Sequence, residues 1–461
     1  MSAESVHSSA ILFETGQVEN LSGTAPTGPD NVVRSQWIDD AQRRWSALRV
    51  LVVALCFLLN ALDGMDIVIM SYIAPVLSDD WALSPESLGV IFSASLAGMV
   101  LGCLFVAPLA DRYGRRPTIL WMLALITMCM MASGLATSLA QLVAARFVIG
   151  IGIGAILASM AALAAEFAPP HQRTLAVAVV NAGYPLGAVL TGLISVVLLP
   201  LHGWQAMLIG SSLLSLVALI LASIFLPESL EFLLRRQPRQ ALRRANAVLD
   251  RLGEKRIRTL PTITEDHVDH SWRAVFARGR AASTVCLWIG VFMAFMTLYF
   301  AISWITKLAT QAGLPLGSAI YVGTIFNLGA FFGTVAMGRI AQSLGLQRVA
   351  PVFLVLAAVL LVVFGAVSMP LTWVLATSFA LGMAVYGGFN AFYALAAELY
   401  PAAIRGTGIG WAMGIGRFGA AGGPLLGGMM IGQGATLSVI MGVFAVPLLV
   451  AAVMASMVRR R

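Results

Sequence analysis

Asn60-Ala61-Leu62-Asp63-Gly64-Met65-Asp66 lies inside the first long apolar run of the chain, about Leu48 to Tyr72. A run of that length with almost no charge reads as a membrane-crossing helix. Two carboxylates near its middle are therefore an anomaly. Each ionised group at the centre of a bilayer costs roughly 2.5–3.5 kcal/mol on insertion scales, so such groups are expected to face a partner or a wet cavity. Asn60, Asp63 and Asp66 follow one another at intervals of three, which stacks them along one side of a helix.

The composition agrees. Of 461 residues, 59% are hydrophobic and 11% charged, whereas a soluble domain carries about 25% charge. Mean hydropathy is +0.88. The apolar runs are about 20 residues or longer, which specifies helices and not barrel strands. The fold class is thus an all-α integral membrane protein. The net charge of +8 comes from arginines in loops. That pattern orients a membrane protein and does not describe a nucleic-acid surface, so no nucleic-acid partner is expected. Cys56, Cys103, Cys129 and Cys286 fall inside apolar runs with no ligand spacing and read as core residues. The first residues show no signal peptide, and 1–46 reads as a polar cytoplasmic tail without fixed structure. Trp37 and Trp45 around Arg43 and Arg44 read as an interface anchor.

About twelve spans of bilayer length follow, near 48–73, 86–110, 118–137, 140–167, 174–198, 205–226, 282–307, 317–340, 349–368, 371–398, 404–430 and 435–457. Even-numbered connections are basic and odd-numbered ones are not. The positive-inside rule then puts both termini in the cytoplasm of a bacterial-type inner membrane. The one long connection, 227–281, is rich in arginine and separates a half at 47–226 from a half at 282–457, with 458–461 as a basic end. Within it Leu242, Ala245, Leu249 and Leu252 share a helical face, and Gly253 is a stop. This predicts an amphipathic helix on the inner membrane surface. The halves repeat. Ala107-Pro-Leu-Ala-Asp111-Arg-Tyr-Gly114-Arg-Arg116 is matched by Gly338-Arg-Ile-Ala-Gln342-Ser-Leu-Gly345-Leu-Gln-Arg348. Glu166-x2-Pro169-x3-Arg173 is matched, at nearly the same offset, by Glu398-x2-Pro401-x3-Arg405. Two pseudo-symmetric six-helix halves are expected, as in one large class of transporters.

With these motifs the chain resembles a major facilitator superfamily transporter over nearly all of its length. The turn Asp111-Arg112-x-Gly114-Arg115-Arg116 carries most of that likeness, with Ala107 where the family has glycine and Gln342 in place of the second acid. Within the superfamily it is similar to the aromatic acid:proton symporters. Asp63-Gly64-x-Asp66, Arg146-Phe-x2-Gly150-x-Gly152, Leu226-Pro-Glu228-Ser229, Tyr299-Phe-x3-Trp304 and Gly416-Arg417-x-Gly419-Ala420 carry the resemblance. It implies uptake of benzoate-like or other organic carboxylates with protons.

Two close carboxylates in a low dielectric cannot both ionise easily, so Asp63 and Asp66 are candidates to load and release a proton. The bland alternative is a neutral packing pair. Arg146 lies roughly seven residues inside the outer end of its span, about as deep as Asp66 at 1.5 Å per residue, and is the candidate partner. A static ion pair is the competing reading. Arg417 stands near the middle of span eleven with no acid in that span, and is a candidate to hold the substrate carboxylate. A contact to carbonyls or to Glu398 is the alternative. Asn60, Tyr299, Ser303, Trp304, Asn327, Tyr386, Asn390 and Tyr393 are candidates to line the pocket, with Asn181 and Tyr184 beside them; packing is the bland reading of each. Asp111, Arg115, Glu166, Arg173, Glu228, Glu398 and Arg405 sit at cytoplasmic ends, where inter-half ion pairs would gate the inside.

No metal spacing, phosphate-cradling loop or hydrolase constellation is present, so neither an enzyme nor a bound cofactor is expected and the proton gradient supplies the energy. The expected partners are a small organic acid, protons and the lipid bilayer, with the protein acting as a monomer. Proton-driven efflux is the competing function. Gly183-Tyr184-Pro185-Leu186-Gly187 lacks the Gly-Pro dipeptide usual in span five of efflux carriers, which favours uptake. A non-transporting receptor is disfavoured by a linker too short for a signalling domain.

Overall fold

The computed structural model describes residues 45–260, 275–276, 279–367, 369–401 and 404–458. Residues 1–44, which include Trp37, Arg43 and Arg44, and the last three arginines lie outside the described residues.

Ten helices are long and apolar enough to cross a membrane. One of them, within Arg173–Phe225, is two spans: the backbone leaves the helix at Gly203 (φ 75°, ψ 179°), just after Pro200. That torsion pair is open only to glycine, so the expected loop between spans five and six shrinks to a kink. A twelfth span, Arg405–Gly432, is rich in glycine and holds Arg405 and Arg417, which dilutes its hydropathy. In order, the other spans are Ala47–Asp80, Pro85–Leu101 continued through Gly102–Val106, Arg115–Gly134, Leu139–Phe167, Ala281–Gln311, Leu316–Leu344, Leu346–Ala366, Leu371–Leu399 and Leu437–Met457. The wide turn at Gly102–Val106 is a π-helix, a local insertion in the ladder of span two.

Contacts inside each half obey one pattern, and glycines set it. In the first half, span two touches span four backbone to backbone: a Cβ on Gly98 would strike the Phe147 carbonyl, and one on Gly102 the Ile151 carbonyl. In the second half Gly329 and Gly333 of span eight meet Phe379 and Met383 of span ten in the same way. Spans one and five touch where Gly183 and Gly187 meet the carbonyls of Phe57 and Ala61. Spans seven and eleven touch where Gly419 and Gly423 meet those of Phe292 and Met296. Small residues permit such approaches in membranes, where close packing drives helix association. The chain is thus two pseudo-symmetric six-helix halves.

The sequence stretch Phe292–Phe295 stands near where the loop-motif offsets of 231 and 232 place the equivalents of Asp63 and Asp66, and the structural register differs: it aligns Phe57 with Phe292 and Ala61 with Met296, so Asp63 and Asp66 correspond to Leu298 and Ala301. The loop motifs differ in offset from these spans by about one helical turn, which accounts for the slip.

The halves meet on the face opposite the arginine-rich loops. Ser71 Oγ donates to Thr306 Oγ1 at 3.3 Å. Lys307 of span seven reaches Ser78 Oγ, and its Nζ lies 3.7 Å from Asp79 of span one. Gly89 packs on Pro424, and Gly192 on Thr324. This face carries Asp79, Asp80 and Glu86 and is called the acidic face below. Toward the basic face, positions 338, 406 and 410 have open space beside them, and Tyr393 is 36% exposed. The two halves are closed against each other on the acidic face.

The linker helix Ala241–Leu252 forms, and Gly253 ends it at φ 74°. Its apolar side does not face lipid as expected. Ala245, Val248 and Leu249 are buried in the protein, and Glu254 pairs with the buried Arg49 at the foot of span one. The expected membrane-surface helix is therefore packed on the first half.

Lys307 holds the closed face together, so Lys307→Met should loosen it. With Thr324→Cys as a reporter (Thr324 is 3% exposed), the thiol should react several-fold faster with a membrane-impermeant maleimide in the Lys307→Met background. Equal rates would show that the lysine does not hold the closure.

Candidate functional site

A helix turns about 100° per residue, so steps of three drift by 60° and the three polar residues of span one separate. Gly64, whose Cβ would meet the Tyr184 backbone, marks the side of span one that faces span five. Asn60 lies close to that side, and its Nδ2 donates to the Val180 carbonyl at 2.7 Å. Its amide ties two helices together. Asp66 lies nearly opposite and points into the first half.

There Asp66 Oδ1 accepts from Arg146 Nη2 at 3.0 Å. Arg146 Nη1 donates to the Asp66 carbonyl at 3.2 Å, and Nη2 also touches Met130 Sδ at 3.2 Å. The side chains are 2% and 1% exposed. This is the depth match that the sequence predicts. A charged pair so far from water persists only if each member compensates the other. Asp66 Oδ2 and Arg146 Nε have no hydrogen-bond partner among the described residues.

Asp63 takes the intermediate direction. Its neighbours come from both halves. It lies within electrostatic reach of Arg417 and Asp66. Around Arg417 stand Tyr299, Cys103, Tyr393 and Asp63. Arg417 Nη1 donates to Tyr299 Oη at 3.2 Å and contacts Met99 Sδ at 3.6 Å, and its guanidinium lies 5.6 Å from the centre of the Phe295 ring. Arg417 is 6% exposed and has no salt bridge among the described residues. The alternative contact to Glu398 is not made: Glu398 is exposed at the basic end of span ten. Phe389 stacks edge-on against Phe295, Tyr386 and Tyr393. Tyr386 Oη and Tyr184 Oη are buried without a partner among the described residues. An aromatic cluster around one cation therefore lies between the halves.

Other expected lining residues make contacts of their own. Trp304 is fully buried near the acidic face, where Nε1 donates to the Pro424 carbonyl at 3.0 Å and the ring meets Phe92 of span two edge-on at 5.2 Å. It packs the closed side. Asn327 is buried with Nδ2 on the Gly323 carbonyl. Asn390 Nδ2 donates to Thr334 Oγ1 and the Tyr386 carbonyl, both at 2.9 Å. Ser303 is buried and Asn181 is exposed. Phe295 and Met99 carry no mark in the sequence, and Cys103 reads there only as a core residue. Apolar residues inside apolar spans carry no signal of their own, and only their packing beside Arg417 marks them.

Of the expected gate residues, Arg115, Glu166 and Glu228 are held together at the loop after span two. Arg115 pairs with Glu166 at 2.8 Å and with Glu231 at 3.3 Å, and Ser229 Oγ donates to Glu166 at 2.7 Å. Glu228 accepts from the Arg116 and Ser229 amides, both at 3.0 Å. Gly114 (φ 110°) turns the chain beside the Glu228 carboxylate, where a side chain would not fit. Asp111 is exposed, and its carbonyl accepts from Arg236. Arg173 and Arg405 are exposed, the latter donating to the Tyr400 carbonyl at 3.3 Å. The linker supplies Glu228, Ser229 and Glu231 closer to this turn than the second half does. Among the described residues Arg115, Glu166 and Glu228 form a clamp on the loop and no salt bridge to the second half in this conformation.

Comparison with known proteins adds the following. The family model described as Major Facilitator Superfamily matches residues 56–387 and 287–461. A gallate transporter of Pseudomonas putida is 32% identical over 419 residues, which cover 90% of this chain and 92% of that protein. A 4-hydroxybenzoate transporter of Pseudomonas aeruginosa is 34% identical over 389 residues, 83% of this chain and 86% of its own length. Among solved structures, the xylose transporter of E. coli in a partially occluded inward-open conformation superposes with a TM-score of 0.70 at 18% identity, covering 88% of this chain and 97% of that one. An inward-facing bacterial homologue of the lysosomal transporter Spinster gives 0.70 at 16% identity, covering 90% and 98%.

The Asp66–Arg146 pair should show an asymmetry on mutation. An aspartate left alone can take up a proton, whereas an arginine cannot give one up. Asp66→Leu should therefore cost about 3–5 kcal/mol of stability, the scale of an uncompensated buried charge. Arg146→Leu should cost less, with the loss growing as pH rises because the lone acid must keep its proton. The double variant should recover most of the loss. Thermal unfolding in detergent measures all three; additive single losses would contradict the pairing.

Proposed function

The chain belongs to the major facilitator superfamily, and from that premise we propose that it is a proton-coupled symporter importing aromatic carboxylates by alternating access. It is a multi-pass membrane transporter and not an enzyme. The relatives named for gallate and 4-hydroxybenzoate support an aromatic acid as cargo. The observation that carries the reading is Arg417: a buried guanidinium with no salt bridge among the described residues, set among aromatic rings between the halves. A carboxylate would supply the missing anion through a two-point contact, and Tyr299 Oη already braces the guanidinium on one side. Phe295, Phe389 and Tyr393 would lie against the ring of the cargo, where edge and face contacts are favourable.

Proton coupling is assigned to Asp66 and Asp63. With Asp66 ionised, Arg146 is held at 3.0 Å. A proton on Asp66 removes the charge that compensates Arg146, so the two protonation states favour different arrangements of span one against span four. Asp63 stands between this pair and Arg417, where it senses both proton and cargo. The two halves, 47–226 and 282–457, would rock about the aromatic cluster, with 227–281 as the tether. The basic face is assigned to the cytoplasm of a bacterial inner membrane, with the tail 1–46, residues 458–461 and both termini on that side, on the distribution of arginines. The working unit is taken as a monomer, needing no cofactor beyond the proton gradient.

In vesicles, Asp66→Asn should abolish accumulation of labelled 4-hydroxybenzoate driven by an imposed pH gradient while leaving exchange of internal for external substrate. Full accumulation by the variant would refute coupling at Asp66. Arg417→Ala should raise KM for the acid by more than tenfold, as expected for a lost charge-assisted contact of about 1.5–3 kcal/mol. If the methyl ester competes with the acid equally well in the unaltered protein, Arg417 does not bind a carboxylate.

A further inference from the structure

A cavity of about 30 Å³ lies in the first half, lined by spans one, three, four and six. Its wall is apolar, Leu62, Leu123 and Ile156 among others, except for Asp63, Asp66 and Ser215. Its lining comes from the first half alone, and Asp63 is the residue it shares with the Arg417 site. A space of this size takes about two water molecules, and apolar cavities stay dry unless polar groups call for water. Here polar groups do. Asp63 Oδ1 and Asp66 Oδ2 are both buried without a hydrogen-bond partner among the described residues, in side chains that are 7% and 2% exposed. Leaving such oxygens unsatisfied is costly. Ser215 adds a third polar atom. Thr127 Oγ1 spends its proton on the Leu123 carbonyl at 2.8 Å, so Ser215 Oγ donates to Thr127 at 2.9 Å and keeps its own lone pairs for an acceptor role.

We propose that this cavity is a water site, and that its water relays a proton between Asp63 and Asp66. Side chains three apart on a helix stand about 5–6 Å apart at Cβ, a gap that one water can bridge. In the relay, the O–H bond of a protonated Asp63 breaks and its proton joins the water. The water passes another of its protons to Asp66 Oδ2. Asp63 ends as a carboxylate, Asp66 ends neutral, the water is regenerated, and Arg146 loses the charge of its partner. The proton thus travels inside one half, while the cargo passes between the halves. Asp63 is the one group common to both routes. The relay rests on the proton coupling proposed above; the presence of the water does not.

The water can be tested on the unaltered protein. Radicals generated by X-ray radiolysis of a buried water oxidise the side chains beside it. Met65, Met130 and Met160 line the cavity and are 7%, 1% and 3% exposed, whereas Met70 and Met207, each 3% exposed, do not line it. The three lining methionines should be oxidised several-fold faster than Met70 and Met207. Equal rates would show a dry cavity and overturn the proposal whatever the protein transports. The relay is tested by filling the space. Ile156→Phe should cut accumulation driven by a pH gradient by more than about tenfold, the scale of a lost proton-transfer group, and leave substrate exchange within about twofold. Unimpaired accumulation with oxidation of the lining methionines abolished would overturn the relay. If exchange is lost as well, Leu123→Phe from the facing wall takes the place of Ile156→Phe and is read in the same way.

Discussion

A carboxylate and a guanidinium placed in the low dielectric of a membrane protein must find each other or be neutralised. Asp66 and Arg146 do so at 3.0 Å with almost no access to solvent, and much of the first half is arranged to allow it. Span four must lie at a fixed height and rotation beside span one. It is held there indirectly, through the glycine contacts of span two against span four and of span five against span one. Those contacts turn Asn60 onto span five and Asp66 away from it. The same rotation leaves Asp63 looking toward the second half.

Packing is duplicated in this molecule and chemistry is not. The glycine contacts of spans two and four recur in spans eight and ten, and those of one and five recur in seven and eleven. In that register Arg146 corresponds to Ser378, which donates to the Val322 carbonyl, and Asp66 corresponds to Ala301. Arg417 falls where the first half has Asn181. One half therefore carries the acid pair and the other carries the unpaired cation. An ion pair within a half can be switched by a proton without moving the halves. A cation at the boundary responds to cargo that touches both halves. Splitting the two tasks this way gives each a separate readout, with Asp63 between them.

The sequence made the fold legible because membrane helices advertise themselves by length and apolarity, and because two loop motifs recur at one spacing. It also made Asp66 and Arg146 legible, since a charge inside a span demands a partner at equal depth. At Asn60 and Trp304 a polar atom signals only that some acceptor exists and not which one. Carbonyls of Val180 and Pro424 answered that demand. The kink at Gly203 was read as a loop because Pro200 and Gly203 look the same whether the chain turns widely or sharply. Phe295 and the cavity beside Leu123 left no mark at all, because an apolar side chain in an apolar span is indistinguishable from its neighbours until the helices are packed.

The account stands on the claim that the buried acids of span one exchange a proton in step with the cargo. Proton uptake can be read directly, by adding 4-hydroxybenzoate to the purified protein in weakly buffered detergent solution and following pH. The account predicts that binding draws protons from solution in the unaltered protein and draws none in a variant carrying both Asp63→Asn and Asp66→Asn. Binding without any proton uptake by the unaltered protein, across the pH range in which it binds, would contradict it.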